Sequence, residues 1–169
     1  MGNRDKGTII WHELPLIAHV RNRLAPQVGK MLISCNRNAD FYAGYAEATF
    51  PDLRTDYQGP MAGLEAVASH VNTDYVLIVP CDTPLLPGDL VDRLLTALLA
   101  GGLDGCYARS GNRNHYLCAL LRLSCLDSVS SYLDGGGRAV RHWYAGLNID
   151  AVDFGDDIGA FANINEPDG

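Results

Sequence analysis

The chain has 169 residues, 47% of them hydrophobic, and a formal net charge of −7 at pH 7. That length and apolar share predict one globular domain over residues 1–169 and exclude an extended disordered segment. The acidic balance excludes sequence-independent binding to nucleic acid, which needs a basic face to displace counterions from phosphates. A small phosphate ligand stays compatible with it if a few cations gather locally, and Arg4, Lys6 and Arg37 are the candidates. No run approaches the ~18 apolar residues of a membrane helix, and no basic region followed by an apolar signal segment opens the chain. The five cysteines, Cys35, Cys81, Cys106, Cys118 and Cys125, form no C-x-x-C pair and fall largely in apolar runs. Reduced, buried thiols in a cytoplasmic protein are the expectation.

In chain order, residues 15–24 carry Leu16, Ile17, Val20 and Leu24 at helical spacing, and residues 30–35 read as a short buried strand. Residues 46–50 form a further strand, followed by a polar loop to Gln58 and then Gly59-Pro60, with proline suited to a first helical turn. That helix runs to about His70 on the stripe Met61, Leu64, Val67, Ala68 and Val71. Tyr75-Val76-Leu77-Ile78-Val79 is an uninterrupted aliphatic run, as expected of a central parallel strand covered on both faces. A helix over residues 87–100 follows, with Asp89 in its first turn. Residues 105–108 and 116–121 read as strands joined by a polar turn, residues 125–133 as a helix, Gly135-Gly136-Gly137 as a flexible joint and residues 151–154 as a short strand. Alternating β and α units predict a mostly parallel sheet flanked by helices.

Pro80-Cys81-Asp82-Thr83-Pro84, coming directly off the aliphatic run, carries the clearest chemical signal. Pro80 ends the ladder and leaves Asp82 at a strand tip, where α/β proteins place a metal and its phosphates. The first run, Met1-Gly2-Asn3-Arg4-Asp5-Lys6-Gly7, sets a lysine between two glycines, a composition that fits either a phosphate-contacting loop or a frayed terminus. Asp52 and Asp56 are turn carboxylates. His12, His19, His70, His115 and His142 show no H-x-x-x-H, so a zinc site is not expected, and His115 reads as either a surface residue or a substrate contact. The triple glycine has no preceding strand and is no dinucleotide fingerprint.

Met1-Gly-x-x-Asp-Lys-Gly7, Asp52, Gly59-Pro-Met-Ala-Gly63, Pro80-Cys-Asp-Thr-Pro84 and Asn163-Ile-Asn-Glu-Pro167, in that order and spacing, resemble the molybdenum cofactor guanylyltransferases. The resemblance covers nearly the whole chain. It implies a Rossmann-like nucleotidyltransferase fold and transfer of GMP from GTP to the molybdopterin phosphate, with release of pyrophosphate. It implies that Asp82 holds Mg²⁺ and that Asp82 and Lys6 are catalytic, Lys6 neutralising the GTP phosphates. Asp52, Gly2 and Gly59 join them on the nucleotide side, and Asn163 and Asn165 fall on the molybdopterin side. GTP and molybdopterin are the implied ligands, with molybdenum insertion proteins and molybdoenzyme chaperones as further partners, and neither nucleic acid nor membrane among them. One Mg²⁺ needs only one or two carboxylates, the rest of its shell being phosphate and water.

The family begins with an apolar strand and an L-A-G-G-x-S-x-R loop ahead of the methionine at which this chain starts, so an N-terminal strand is expected to be missing and Met1 to be an internal residue of a longer native protein. Ser34 stands where the family often has asparagine, and relatives continue into a helix beyond Gly169. The absent loop keeps a non-catalytic molybdopterin-binding or adaptor protein open as an alternative. A cytidylyl or sugar-phosphate nucleotidyltransferase is the other alternative, although the cytidylyl relatives tend to carry Gly-Asp-Gln-Pro where this chain has Cys-Asp-Thr-Pro.

Overall fold

A computed structural model describes residues 4–56, 59–155 and 157–167. After a single 3₁₀ turn at Lys6–Thr8, the elements are β1 (Ile10–Trp11), β2 (Leu14–Pro15), α1 (Leu16–Leu24), β3 (Leu32–Ser34), α2 (Ala39–Tyr42), β4 (Ala48–Phe50) and α3 (Pro60–Ala68). The second half holds β5 (Tyr75–Ile78), α4 (Leu90–Gly101), β6 (Gly105–Ser110), β7 (Arg113–Arg122), a 3₁₀ segment at Leu123–Ser128, α5 (Val129–Asp134), α6 (Val140–Tyr144), β8 (Ile149–Asp153) and a 3₁₀ turn at Ile158–Phe161.

The architecture is α/β, and the described strands pair in both senses. β3 and β4 lie parallel, as do β6 and β8, while β7 runs antiparallel to both β5 and β6 in a four-stranded sheet of order β5-β7-β6-β8. The sheet is thus mixed rather than mostly parallel. β5, expected between parallel neighbours, occupies one end of that sheet, with Ile78 opposite Ala119. The cause is the β6–β7 hairpin, whose return strand inserts between β5 and β6. Its turn is shorter than the 109–115 loop expected, because Gly111 takes a φ of +54° and lets the strands close around it.

β7 is the buried centre of the molecule. Successive side chains of a strand point to opposite faces, so Cys118 and Leu120 join one core cluster while Ala119 and Leu121 join the other. On the first face α4 supplies Leu90, Leu94 and Leu98, one turn apart and all fully buried. Burying those three leucines contributes roughly 1.5–3 kcal/mol each. On the second face α3 and α5 pack through Met61, Leu64, Val129 and Leu133, with Trp143 and Tyr144 from α6, a helix the sequence reading did not anticipate.

The triple glycine is not a flexible joint. The Gly135, Gly136 and Gly137 amides bond back to the carbonyls of Ser131, Leu133 and Tyr132, Gly136 takes a φ of +88°, and a Cβ on Gly137 would collide with the Tyr132 ring. It is the packed C-terminal cap of α5. The expected helix over 125–133 is divided between a 3₁₀ segment and α5. All five cysteines are free, with Cys106, Cys118 and Cys125 buried. Among the described residues no helix is long and apolar enough to cross a membrane.

Candidate active site

β3 and β4 run parallel, and the Asp5–Thr8 segment lies near the carboxyl ends of β3 and β5, where the Asp5 charge acts on Cys35 and on Cys81. Pro80 and Pro84 bracket a tight stretch in which the Thr83 hydroxyl donates to the Pro80 carbonyl at 3.3 Å. Asp82 is carried there only 4% exposed. Its Oδ2 accepts from Lys6 Nζ at 2.9 Å. Lys6 keeps 49% of its side-chain surface open to solvent, so the ammonium pairs with the carboxylate from the solvent side of the site. The Asp82 carbonyl accepts the Ile164 amide at 2.9 Å, which draws the 163–165 segment to the same strand end.

The lysine turn is held from the opposite side. Asp5 accepts from the Tyr42 hydroxyl and, at 2.8 Å, from Asn38 Nδ2, while the Thr8 hydroxyl donates to the Asp5 carbonyl at 2.8 Å. Gly7 is buried, and a Cβ there would run into the Tyr42 ring. The turn is therefore built against α2, and the frayed-terminus alternative does not hold for residues 5–8. Burial, followed by the Asp5 hydrogen bond, drives the Tyr42 hydroxyl far above its ordinary pKa, so it remains a donor. Burial and the Asp82 and Asp5 charges push the Cys81 thiol up to about 11. It is protonated at neutral pH and is no nucleophile.

Asp52 stands apart, beyond the end of β4. Its carboxylate accepts from Asn36 Nδ2 at 3.0 Å and, weakly, from the Ser34 hydroxyl at 3.4 Å, and its amide donates to Asn36 Oδ1 at 2.8 Å. Gly63 makes this possible, since a Cβ at that position would lie 2.8 Å from Ser34 Oγ. Gly59 is required for a different reason, a φ of +75° at the start of α3. The structure thus joins Lys6, Asp82 and the 163–165 segment in one cluster and Asp52, Ser34, Asn36 and Gly63 in a second, with Gly59 at the start of α3. Asn163 and Asn165 are both exposed beside Ile164. Asp56 is exposed with a φ of +63°, and Gly2 lies outside the described residues.

His115 is no plain surface residue. Its Nε2 lies 2.7 Å from the hydroxyl of fully buried Ser110, and its ring stacks on Phe161 with centroids 4.6 Å apart. Burial, and then the Arg113 charge, lowers its pKa below the usual 6.5. The bracing of the site by Asp5, Tyr42 and Asn36 escaped the sequence reading. Its one visible signal was Asp5, next to the lysine.

Among the described residues no three His, Cys, Asp or Glu side chains gather to cage a metal. The donor chemistry at Asp82 fits a different arrangement, a hard divalent ion on one carboxylate oxygen with phosphate and water completing its shell. A buried carboxylate paired with a lysine past the end of a strand lies where α/β folds of Rossmann-like type bind their ligands.

Comparison with known proteins fixes the family. Residues 1–149 match the MobA-like NTP transferase domain. A molybdenum cofactor guanylyltransferase of Shewanella woodyi is 39% identical over 168 residues, 99% of this chain and 86% of the relative. One from Shewanella piezotolerans is also 39% identical, over 99% of this chain and 82% of its own. The chain belongs to this family of nucleotidyltransferases, the molybdenum cofactor guanylyltransferases. The fold is shared with the molybdopterin-guanine dinucleotide biosynthesis protein A of Archaeoglobus fulgidus, at a TM-score of 0.77 and 20% identity, covering 97% of this chain and 86% of that one. It is shared as well with the 2-C-methyl-D-erythritol 4-phosphate cytidylyltransferase of Thermus thermophilus, at a TM-score of 0.71 and 11% identity over 95% of this chain and 88% of the other.

Proposed function

We propose that this chain transfers GMP from GTP to the phosphate of the molybdenum-molybdopterin cofactor and releases pyrophosphate. The observation that carries this reading is the Lys6–Asp82 pair, 2.9 Å apart at the end of β5 with Asp82 buried, in a chain of this family. An oxygen of the acceptor phosphate attacks the α-phosphorus of GTP. The bond from that phosphorus to the bridging oxygen breaks, and its electron pair leaves with pyrophosphate. The attacking oxygen is already anionic at neutral pH, so no general base is required.

Lys6 then exchanges its bond to Asp82 for the nucleotide phosphates and neutralises charge on the leaving group, an interaction that strengthens in the transition state. Asp82 is the residue that would hold Mg²⁺, which when bound supplies charge neutralisation and alignment of the phosphates. Asp52, fixed by Asn36 and Ser34, contacts the nucleotide, as does Gly59 at the start of α3. Asn163 and Asn165, tethered through the Ile164 amide to the Asp82 carbonyl, face the molybdopterin side. The transfer is a direct displacement that needs only alignment of the attacking oxygen and neutralisation of charge, without a covalent enzyme intermediate.

Calorimetric titration of GTP with Mg²⁺ into the native chain and into Asp82→Ala, with CTP as control, tests the reading. Binding selective for GTP and lost in Asp82→Ala is the expected result. Equal affinity for CTP would reject guanylyl transfer, and no nucleotide binding by a folded chain would reject catalysis in favour of a molybdopterin-binding role.

A further inference from the structure

Arg54 sits two residues after Asp52 and ties its loop to two helices. Its Nε donates to Glu65 Oε2 at 2.8 Å and its Nη2 to Glu65 Oε1 at 2.7 Å, a two-pronged fork onto α3. Nη2 also lies 2.8 Å from Asp134 Oδ1 and donates to the Ser130 carbonyl at 3.3 Å, both on α5. The Ser130 hydroxyl completes the group by donating to Glu65 Oε1 at 2.8 Å. Glu65 is only 8% exposed and shares the buried face of α3 with Met61, Ala62 and Leu64. A carboxylate in such a place adds little to stability compared with an apolar residue of similar volume. What it does supply is a fixed geometry for the guanidinium, and so for the loop that carries it.

Leu53, between the two charged residues, is 71% exposed, so apolar packing does not hold this stretch. Asp52 is gripped on one side by Asn36 and Ser34 of the β3 end, and Arg54 on the other by α3 and α5. Sliding the loop would break both sets together.

We propose that Arg54 is a positioning residue of the nucleotide site, fastening residues 51–56 to α3 and α5 so that Asp52 is presented to the incoming GTP. This rests on the reading of Asp52 as a nucleotide contact. The test is a thermodynamic cycle of GTP–Mg²⁺ affinity over the native chain, Arg54→Ala, Asp52→Ala and the double variant. Arg54→Ala is expected to weaken binding about tenfold alone and to add nothing once Asp52 is gone, as for residues acting through one another. Independent, additive losses, or native affinity in Arg54→Ala, overturn the proposal. If Arg54→Ala does not fold, Arg54→Lys keeps the charge without the fork, and a partial loss that again vanishes beside Asp52→Ala is expected; native affinity there overturns it equally. A native chain that binds no GTP fails the functional reading instead. Amide exchange of residues 51–56 in Arg54→Lys then decides the anchor by itself, faster exchange supporting it and unchanged exchange refuting it.

Discussion

The two acidic centres of the site are held by different physics. Asp82 is fixed by the main chain and by burial: a strand that ends just before Pro80, a second proline at Pro84, a carbonyl bonded to the Ile164 amide, and only 4% of the residue exposed. Asp52 lies on a loop where side chains do the holding, Asn36 and Ser34 on one side and the Arg54 fork on the other. A carboxylate placed by backbone tolerates little movement, which suits the role proposed for Asp82, beside charge that develops at phosphorus. One placed by side chains can adjust as the nucleotide arrives. Substitutions near Asp82 should therefore act on turnover, and substitutions near Asp52 on nucleotide affinity.

The largest expected effect comes from the rigid side. Lys6→Ala removes a charge-assisted bond worth roughly 1.5–3 kcal/mol, so kcat should fall about 10–100-fold. Because the substitution also leaves the buried Asp82 carboxylate without its cation, the thermal midpoint should fall as well. Steady-state kinetics beside a melting curve checks both, and a loss confined to the Michaelis constant for GTP would erase the distinction between the two centres.

A smaller effect is expected from Gly63→Ala on the adjustable side. The added Cβ would sit 2.8 Å from Ser34 Oγ, so the hydroxyl must move and the bond to Asp52 with it. GTP affinity should fall severalfold, about the worth of one long, weak hydrogen bond, with kcat at saturating GTP unchanged. A fall in kcat of the same size would show that Asp52 and Asp82 act as one unit.

The rigid side was also the more legible one in the sequence. An aliphatic run broken by Pro80-Cys81-Asp82 announces a strand end and a carboxylate, because chain stiffness and burial are written in consecutive residues. The partner strand of β5 could not be read that way. An apolar run fits a parallel or an antiparallel neighbour equally, and the choice was made by the β6–β7 hairpin forty residues away. Long-range polar contacts were less legible still. Glu65 reads as one more helical residue, and only the fold brings Arg54 and Asp134 to it. The triple glycine misled for a related reason: composition promised freedom, whereas three amide bonds to α5 hold the segment, Gly136 takes a left-handed φ and the Tyr132 ring fills the space at Gly137.

Acid should separate the two centres without any change of sequence. On the Asp82 side, His115 stacks on Phe161, three residues before the Ile164 amide that grips the Asp82 carbonyl. Its folded-state pKa is lowered by burial, so the unfolded chain accepts a proton that the folded chain resists. Stability therefore falls as the pH drops through 6.5 and levels off once the folded histidine also titrates. On the Asp52 side the group that matters is Glu65, whose pKa is lowered chiefly by the Arg54 hydrogen bond. Its contribution is fully present above the ordinary value of 4.5 and is lost only as the pH falls through the lower folded value. Amide exchange between pH 7.5 and 5 should accordingly loosen residues 158–165 while leaving 51–56 protected, and His115→Gln should flatten that response. Loosening of both segments together near pH 6 would mean that the two carboxylates share one support after all.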